Sequence, residues 1–430
     1  MADEGAEQFG KGFVATDYVP GPLPTDDTPI EDVDPSRPEL FGRDLWQPVF
    51  RRLRREAPIH WVQDSAYGPY WCLSTYDPLV EVSEKPEVFS SSFRNGGFNI
   101  QDMSSDPAVA IPMFIALDDP EHAAQRRSVA PALAPTELKR LEAEVRRRTA
   151  ELLDGLPRGE DFDWVDQVSI ELTTGLLALL FDFPWDDRRK LTFWSDWMGD
   201  TAAALDPVRR EQRGKVLFEA AAYFTQLWMT RKAAEPARDM ISMMAHSDAL
   251  EGADQRQILG NIMLLIVGGN DTTRNAMSGA AWFMNRFPEA RAELEADSSL
   301  IGTAVTETLR MQSPLPHMRR TAMENYDLGG YKFRKGDKVV MWHISANRDE
   351  SVFTDPDDWN LHRENSRRHL AFGHGIHRCV GSRLGEMQLR IMFEELAARR
   401  LRVEQTDEAG FVESNFLHGF KKLPVRLRGL

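Results

Sequence analysis

The chain predicts a mainly α fold with a smaller β-rich side, and three features carry that reading. Helical apolar spacing recurs in long segments from Thr136 to His246, with apolar runs such as Leu172–Phe181 and aromatic residues at Phe193, Trp194, Trp197, Phe224 and Trp228. A further helix opening at Asp254 is apolar almost all round, which places it at the centre of a large body. Short aromatic and β-branched runs, bounded by glycine and proline, flank these helices on both sides. With 430 residues, 42% hydrophobic and 28% charged, the composition is that of a globular protein able to bury a large core.

In chain order, the first forty or so residues are rich in Asp, Glu, Pro and Gly and lack periodicity, so they read as an arm. Leu45–Leu53 has the spacing of a short amphipathic helix. Ile59–Val62 and Tyr70–Ser74 flank Gly68-Pro69 and read as a hairpin, with Cys72 packed inside it. Phe89–Ile115 loosens into glycine-rich sequence whose Phe93, Phe98, Ile100 and Met103 point to contact with something apolar. At Asp118-Asp119-Pro120-Glu121 the proline presets a helix start and the acids suit its first turn. His122 and Arg126, four apart, then share one helix face.

The helix from Asp254 carries Ile258, Leu259 and Ile262 to Val267, then changes character at Gly268-Gly269-Asn270-Asp271-Thr272-Thr273. Each glycine costs roughly 1 kcal/mol against alanine in a helix interior, which signals a close approach or a local kink. Asp271 and Thr272 are costly to bury for structure alone. Glu307 and Arg310 lie three apart on one helix face. Turn and strand signals follow through Pro314–Ala322, Gly329-Gly330 and Lys335-Gly336-Asp337, and Asn415–Phe420 reads as a turn between strands.

Between these lies Phe372-Gly373-His374-Gly375-Ile376-His377-Arg378-Cys379-Val380-Gly381. Glycines around Cys379 permit sharp turns and let the backbone approach something flat and bulky. Val380, Leu384, Met387 and Ile391 recur at helical spacing, so Cys379 stands at or near a helix N-terminus, where the dipole and free amides favour a thiolate. Cys72 and Cys379 are far apart and read as two free thiols.

A net charge of −15 argues against nucleic acid and anionic membrane as partners. Arg367, Arg368, Arg378 and Arg383 nonetheless cluster around the cysteine, either as solvated charges or as a dock for an acidic protein. No apolar run is long enough to span a bilayer, and Met1-Ala2-Asp3-Glu4 is unlike a signal peptide, so a cytoplasmic protein is expected.

Phe372, Gly375, His377, Cys379 and Gly381 together resemble the haem-binding signature of the cytochromes P-450, with every fixed position filled. The resemblance runs from about Leu45 to the C-terminus. It implies the cytochrome P-450 fold, with 1–44 as an N-terminal arm, 45–430 as a single haem domain and no fused reductase. Haem b (iron protoporphyrin IX) would lie between the long central helix and the cysteine loop, with Cys379 as axial iron ligand. His122 and Arg126 resemble the family pair that holds a propionate through charge-assisted bonds. His377 is a further partner, and either Arg320 or its rival Arg319 is the arginine beneath the haem. Gly268-Gly269-Asn270-Asp271-Thr272 resembles the oxygen-activation motif, with Thr272 beside dioxygen and Asp271 in the proton relay. Glu307, Arg310 and Arg363 would be structural supports.

The resemblance implies a monooxygenase that inserts one atom of O2 into an unactivated C–H bond. Electrons would come from NAD(P)H through a separate ferredoxin and ferredoxin reductase. Leu264–Asn275, His317–Ala322 and Asn415–Phe420 look like the soluble bacterial alkane and fatty-acid terminal hydroxylases. That implies a small hydrophobic aliphatic substrate against Phe98, Met103, Leu264, Gly268, Met318, Phe416 and Leu417, with Pro316 and His317 beside them. His418 departs from that subgroup, where a differently charged residue is commoner, and leaves the polar end of the substrate open. A terpene or other cyclic hydrophobic substrate is the alternative. A peroxide-driven enzyme or a non-catalytic haem protein is disfavoured because Asp271 and Thr272 are both present.

Overall fold

The computed structural model describes residues 21–103, 111–199 and 206–430. The readings made on the first twenty residues, on positions 104–110 and on 200–205 lie outside these. The long helix predicted at Asp254 spans Gln255–Arg286, capped by the Asp254 carboxylate, which accepts from the Arg256 amide. Ile258, Ile262 and Ile266 pack with the helices Glu171–Phe181, Arg189–Met198 and Pro207–Ala233. Ala276, Ala280 and Phe283 pack with Ile301–Gln312 and with Ser382–Ala398. Two apolar cores therefore meet on one helix, as its all-round apolar character requires.

Of the two readings of its glycine pair, close approach is the one realised. The helix continues unbroken, and a Cβ added to Gly269 would lie 2.8 Å from Leu177 Cδ2. One added to Gly268 would meet nothing within 4 Å.

The β-rich side is a five-stranded sheet in the order Ile59–Val62, Tyr70–Leu73, Lys338–Met341, Met318–Ala322, Phe89–Ser90. The predicted hairpin forms, pairing Ile59 with Leu73 and Val62 with Tyr70, and Cys72 is fully buried within it. Tyr70–Leu73 pairs in parallel with Lys338–Met341, which in turn pairs antiparallel with Met318–Ala322. The amphipathic helix extends over Trp46–Glu56, a little beyond its expected end. Val33, Leu40 and Phe41, within the expected arm, are buried in one cluster with Trp46, Phe50 and Trp342. No helix among the described residues is long and apolar enough to cross a membrane.

Glu307 and Arg310 on Ile301–Gln312 are both fully buried. Arg310 grips Glu307 through two bonds of 2.7 and 2.9 Å and donates to the carbonyls of Asn347 and Pro356. Arg363 joins at 2.9 Å from Glu307 Oε2. The three side chains thus hold the irregular segment leading into the cysteine loop.

Candidate active site

A cavity of about 350 Å³ opens between the central helix and the cysteine loop. Leu264, Leu265, Val267, Gly268, Thr272 and Ala276 form one wall, and Phe372, His377, Cys379 and Gly381 the other. The loop is shaped by two contacts. The Cys379 amide donates to the Phe372 carbonyl at 2.8 Å. Gly375, with φ of +69°, passes so close to Ser83 that a Cβ would lie 2.1 Å from its carbonyl oxygen.

Cys379 stands three residues before the helix Ser382–Ala398 and carries accessible surface on the cavity wall. The amide at the helix start favours its thiolate, and burial opposes it. Burial pushes the free thiol up, outweighing the Gly381 amide, Arg126 and Arg378, which act the other way. A metal held by this sulfur would bind it as the thiolate, since a coordinating thiol is deprotonated outright.

One edge of the cavity gathers Arg126, Arg320, His122 and His377, and its one carboxylate contact among the described residues is Asp119 Oδ1, 3.1 Å from His122 Nδ1. Arg126 donates to the Arg378 carbonyl at 2.5 Å, and Arg320 to the Arg319 carbonyl at 2.7 Å. Neither meets a carboxylate among the described residues. His122 and His377 lie with ring centroids 4.2 Å apart, and His122 Nε2 and His377 Nδ1 are buried with no hydrogen-bond partner. Burial lowers the pKa of both rings and brings that of Arg320 down to about 10. Two orphaned imidazole nitrogens and two unpaired guanidiniums suit a ligand bearing carboxylates.

The residues present therefore fit haem, with propionates at this edge and iron at the Cys379 sulfur. Among the described residues no group of three or more His, Cys, Asp or Glu could hold a bare ion. A lone sulfur suits an iron that brings its other ligands with it. The structure also separates the two candidate arginines. Arg320 lines the cavity, whereas Arg319 is engaged with Asp102 and Gly96 outside it.

On the central helix, Thr272 Oγ1 faces the cavity and donates to the Gly268 carbonyl at 2.6 Å. Asp271 beside it is fully buried. Its Oδ2 accepts from Ser195 at 2.8 Å, and its Oδ1 from Asn270 and Arg274 at 3.1 Å each. Arg274 also reaches half-exposed Asp196 at 2.9 Å. Burial pushes the Asp271 carboxyl up to about 6, against the pull of Arg274. An acid poised near neutrality beside an alcohol can pass protons from the Asp196 side toward the cavity.

Of the expected substrate contacts, Phe98, Met103, Leu264, Gly268, Met318 and Phe416 line the cavity. Leu417 is not among its lining residues and packs toward Gly199 and Asp271. His317 is buried away from it, bonded to the amide of Ile100 and the carbonyl of Asn415. His418 likewise belongs to the core, with Nδ1 on the Gln312 carbonyl at 2.5 Å and its ring 5.3 Å from Trp46. Met113, within the loosened stretch Phe89–Ile115, joins the apolar wall, and Met198 and Met263 enlarge it unforeseen, since nothing in a helical pattern says which methionine meets a cavity. Ser195 and Arg274 were missed too. Arg274, three residues after Asp271 on the same helix, was findable from spacing.

A thiol presented to an apolar cavity, a cationic edge, and a buried acid next to a cavity-facing alcohol on a central helix are what a haem-thiolate monooxygenase requires. The cytochrome P450 family model matches residues 226–418. The chain is 38% identical over 410 residues to linalool 8-monooxygenase of Pseudomonas putida, covering 93% of this chain and 99% of that one. It is 33% identical over 424 residues to the methyl-branched lipid omega-hydroxylase of Mycobacterium tuberculosis, covering 94% and 96%. The solved structure of cytochrome P450-153 from Novosphingobium aromaticivorans superposes with a TM-score of 0.87 at 50% identity, covering 92% of this chain and 99% of that one. The chain belongs to the cytochrome P450 family, whose members use haem b, O2 and electrons passed from NAD(P)H by redox partners.

Proposed function

We propose that the chain hydroxylates medium-chain aliphatic substrates, alkanes, alcohols or fatty acids, mainly at the terminal carbon. The observation that carries this reading is the wall around Thr272, where Phe98, Leu264, Val267, Met318 and Phe416 offer no hydrogen-bonding side chain. Each buried methylene is worth about 0.8 kcal/mol, so eight carbons supply roughly 6 kcal/mol against association costs of at least about 4. Affinity should rise with chain length until the cavity is full.

Haem bound at Cys379 supplies the activation of dioxygen. Thr272 Oγ1 gives up its bond to the Gly268 carbonyl to present a proton to the cavity, and Asp271 replenishes it. Arg126, Arg320, His122 and His377 hold the propionates, and Phe372 and Gly381 shape the sulfur's surroundings. The apolar wall excludes water from the reacting carbon. Residues 45–430 form the haem domain, against which Val33, Leu40 and Phe41 of the preceding arm pack, and it works in the cytoplasm. A ferredoxin, itself reduced by a ferredoxin reductase, docks at Arg367, Arg368, Arg378 and Arg383, which are exposed and have no carboxylate partner among the described residues.

Gas chromatography of products from an aliphatic chain-length series, with NADH and a ferredoxin system, tests the reading. Mainly terminal alcohols support it, and mainly subterminal alcohols sink it. The linalool 8-monooxygenase relative favours a second reading, a terpenoid substrate, which preference for such a compound over every linear chain would establish. In the same preparation the carbon monoxide complex should show the red-shifted Soret band of thiolate ligation, absent from Cys379→Ala.

A further inference from the structure

Phe93 to Met103 crosses the sheet as a strap with one short helical turn, Phe93–Asn95, and gives Phe98, Asn99, Gln101 and Met103 to the cavity wall. Its attachment converges on one buried guanidinium. Arg319, 4% exposed, donates from Nη1 to the Gly96 carbonyl at 3.1 Å and from its amide to the Phe98 carbonyl at 2.7 Å. Thr321 Oγ1 donates to the Asn95 carbonyl at 2.6 Å. The strap lies so tightly on Arg319 that a Cβ at Gly96, where φ is +100°, would stand 2.1 Å from its Nη2. Gly97 is as constrained, by Met103 Sδ at 2.5 Å from an added Cβ.

The far end of the strap is held by the Met103 amide, which donates to the Gly96 carbonyl at 3.0 Å, and by charge. Asp102 Oδ1 pairs with Arg319, and Oδ2 with Lys338 Nζ at 3.0 Å. Both cations are buried, while the Asp102 side chain is 53% exposed. They come from neighbouring strands, where Thr321 faces Lys338 and Arg319 faces Val340, which makes Arg319 and Lys338 diagonal neighbours on one face of the sheet. Two buried cations side by side need a shared anion. Burial raises the Asp102 carboxyl, but Arg319 and Lys338 outweigh it and hold the group below the usual carboxylate range.

We infer that Asp102 is a specificity-determining positioning residue: by bridging Arg319 and Lys338 it fixes the strap, and so places Phe98 and Met103 on the substrate wall. The Phe98 ring lies 6.2 Å from that of Phe416, so the strap's position sets the gap across which a substrate passes. In Asp102→Asn the first half of the strap keeps its backbone bonds to Arg319, while the Met103 end loses its ionic anchor and keeps only the bond from its amide to the Gly96 carbonyl. This inference rests on the reading of the cavity as the substrate site.

Ligand-induced shifts of the Soret band, titrated with an aliphatic chain-length series and with imidazole as a small iron-binding control, provide the test. Asp102→Asn should weaken the best aliphatic ligand about tenfold, about 1.4 kcal/mol, and flatten the dependence on chain length. Imidazole affinity and the carbon monoxide spectrum should stay as in the parent, while the melting temperature falls because two buried cations lose their shared anion. Asp102→Asn/Lys338→Met, with one buried cation fewer, should regain part of the discrimination. A parent-like chain-length profile in Asp102→Asn overturns the inference. So does uniform weakening that includes imidazole, since that reports general damage. If the parent prefers terpenoids, the proposed substrate class fails, and Asp102→Asn is then read by its loss of discrimination within a terpenoid series.

Discussion

Glu307–Arg310 and Asp271–Arg274 are the same arrangement, an acid followed three residues later by an arginine, buried on two helices that pack together. Their surroundings differ. Around Glu307–Arg310 each charge is saturated: Arg363 and the Asn360 amide complete the acid, and the carbonyls of Asn347, Pro356 and Asp358 complete the arginine. Around Asp271–Arg274 saturation is incomplete. Arg274 Nε is buried with no partner, the acid is pushed up to about 6, and the arginine leads to half-exposed Asp196. A saturated pair locks a fold, whereas an under-satisfied pair connected to solvent can change its protonation. Spacing decides that two side chains meet, and the shell around them decides what the meeting does.

The largest expected effect lies on the saturated side. Glu307→Gln leaves Arg310 and Arg363 buried without an acid and should cost about 3–5 kcal/mol, read as a fall in the melting temperature of the haem-loaded protein. A loss below about 1 kcal/mol would put it in the class of exposed pairs and erase the contrast.

Asp271→Asn should leave folding and the carbon monoxide spectrum intact while slowing product formation about a hundredfold. The sign with pH follows from the raised value. The proton donor form is lost as pH rises through about 6, so product yield per NADH should decline across that range, and the decline should vanish in Asp271→Asn. For stability, the unfolded carboxyl ionises near about 3.9. The contribution is complete below that pH, lost between there and about 6, and constant above. A pH profile unaltered by Asp271→Asn would assign the limb elsewhere.

Thr272→Ala should bind haem and substrate as the parent does but divert electrons to hydrogen peroxide, measured as peroxide formed per NADH. Unchanged coupling would remove Thr272 from proton delivery. The smallest effect belongs to Asp196→Asn. A half-exposed partner is worth about 0.2–1 kcal/mol, weakening with salt, so its melting temperature should shift little. A loss of about 3–5 kcal/mol, that of a broken buried pair, would mean that Arg274 depends on Asp196 rather than on Asp271.

Much of the site was legible in the chain because its signals are local. The glycines and cysteine of Phe372–Gly381, the Asp254 cap, the glycine pair before Asp271 and the proline before His122 each declare a backbone geometry within a few residues. The strand pairs Ile59–Val62 and Tyr70–Leu73 were equally plain from composition and the intervening turn. For Cys379 the helix start that favours a thiolate is visible in sequence, while the burial that opposes it is not.

By itself, then, the sequence determined the elements, the cysteine loop and the acid–alcohol pair, since periodicity, capping and turn chemistry act over one or two helical turns. Tertiary structure alone decided which neighbour faces what. Arg319 and Arg320 are adjacent and chemically identical, yet alternation along a strand sends their side chains to opposite faces. The pairing of Arg320 with Val339 turns one to the cavity, and the other to Asp102 and the strap. Likewise Phe416 reaches the cavity while Leu417 and His418 turn into the core, and Ser195 meets Asp271 across 76 residues of chain. Such contacts depend on how separate elements pack, and no local pattern encodes that.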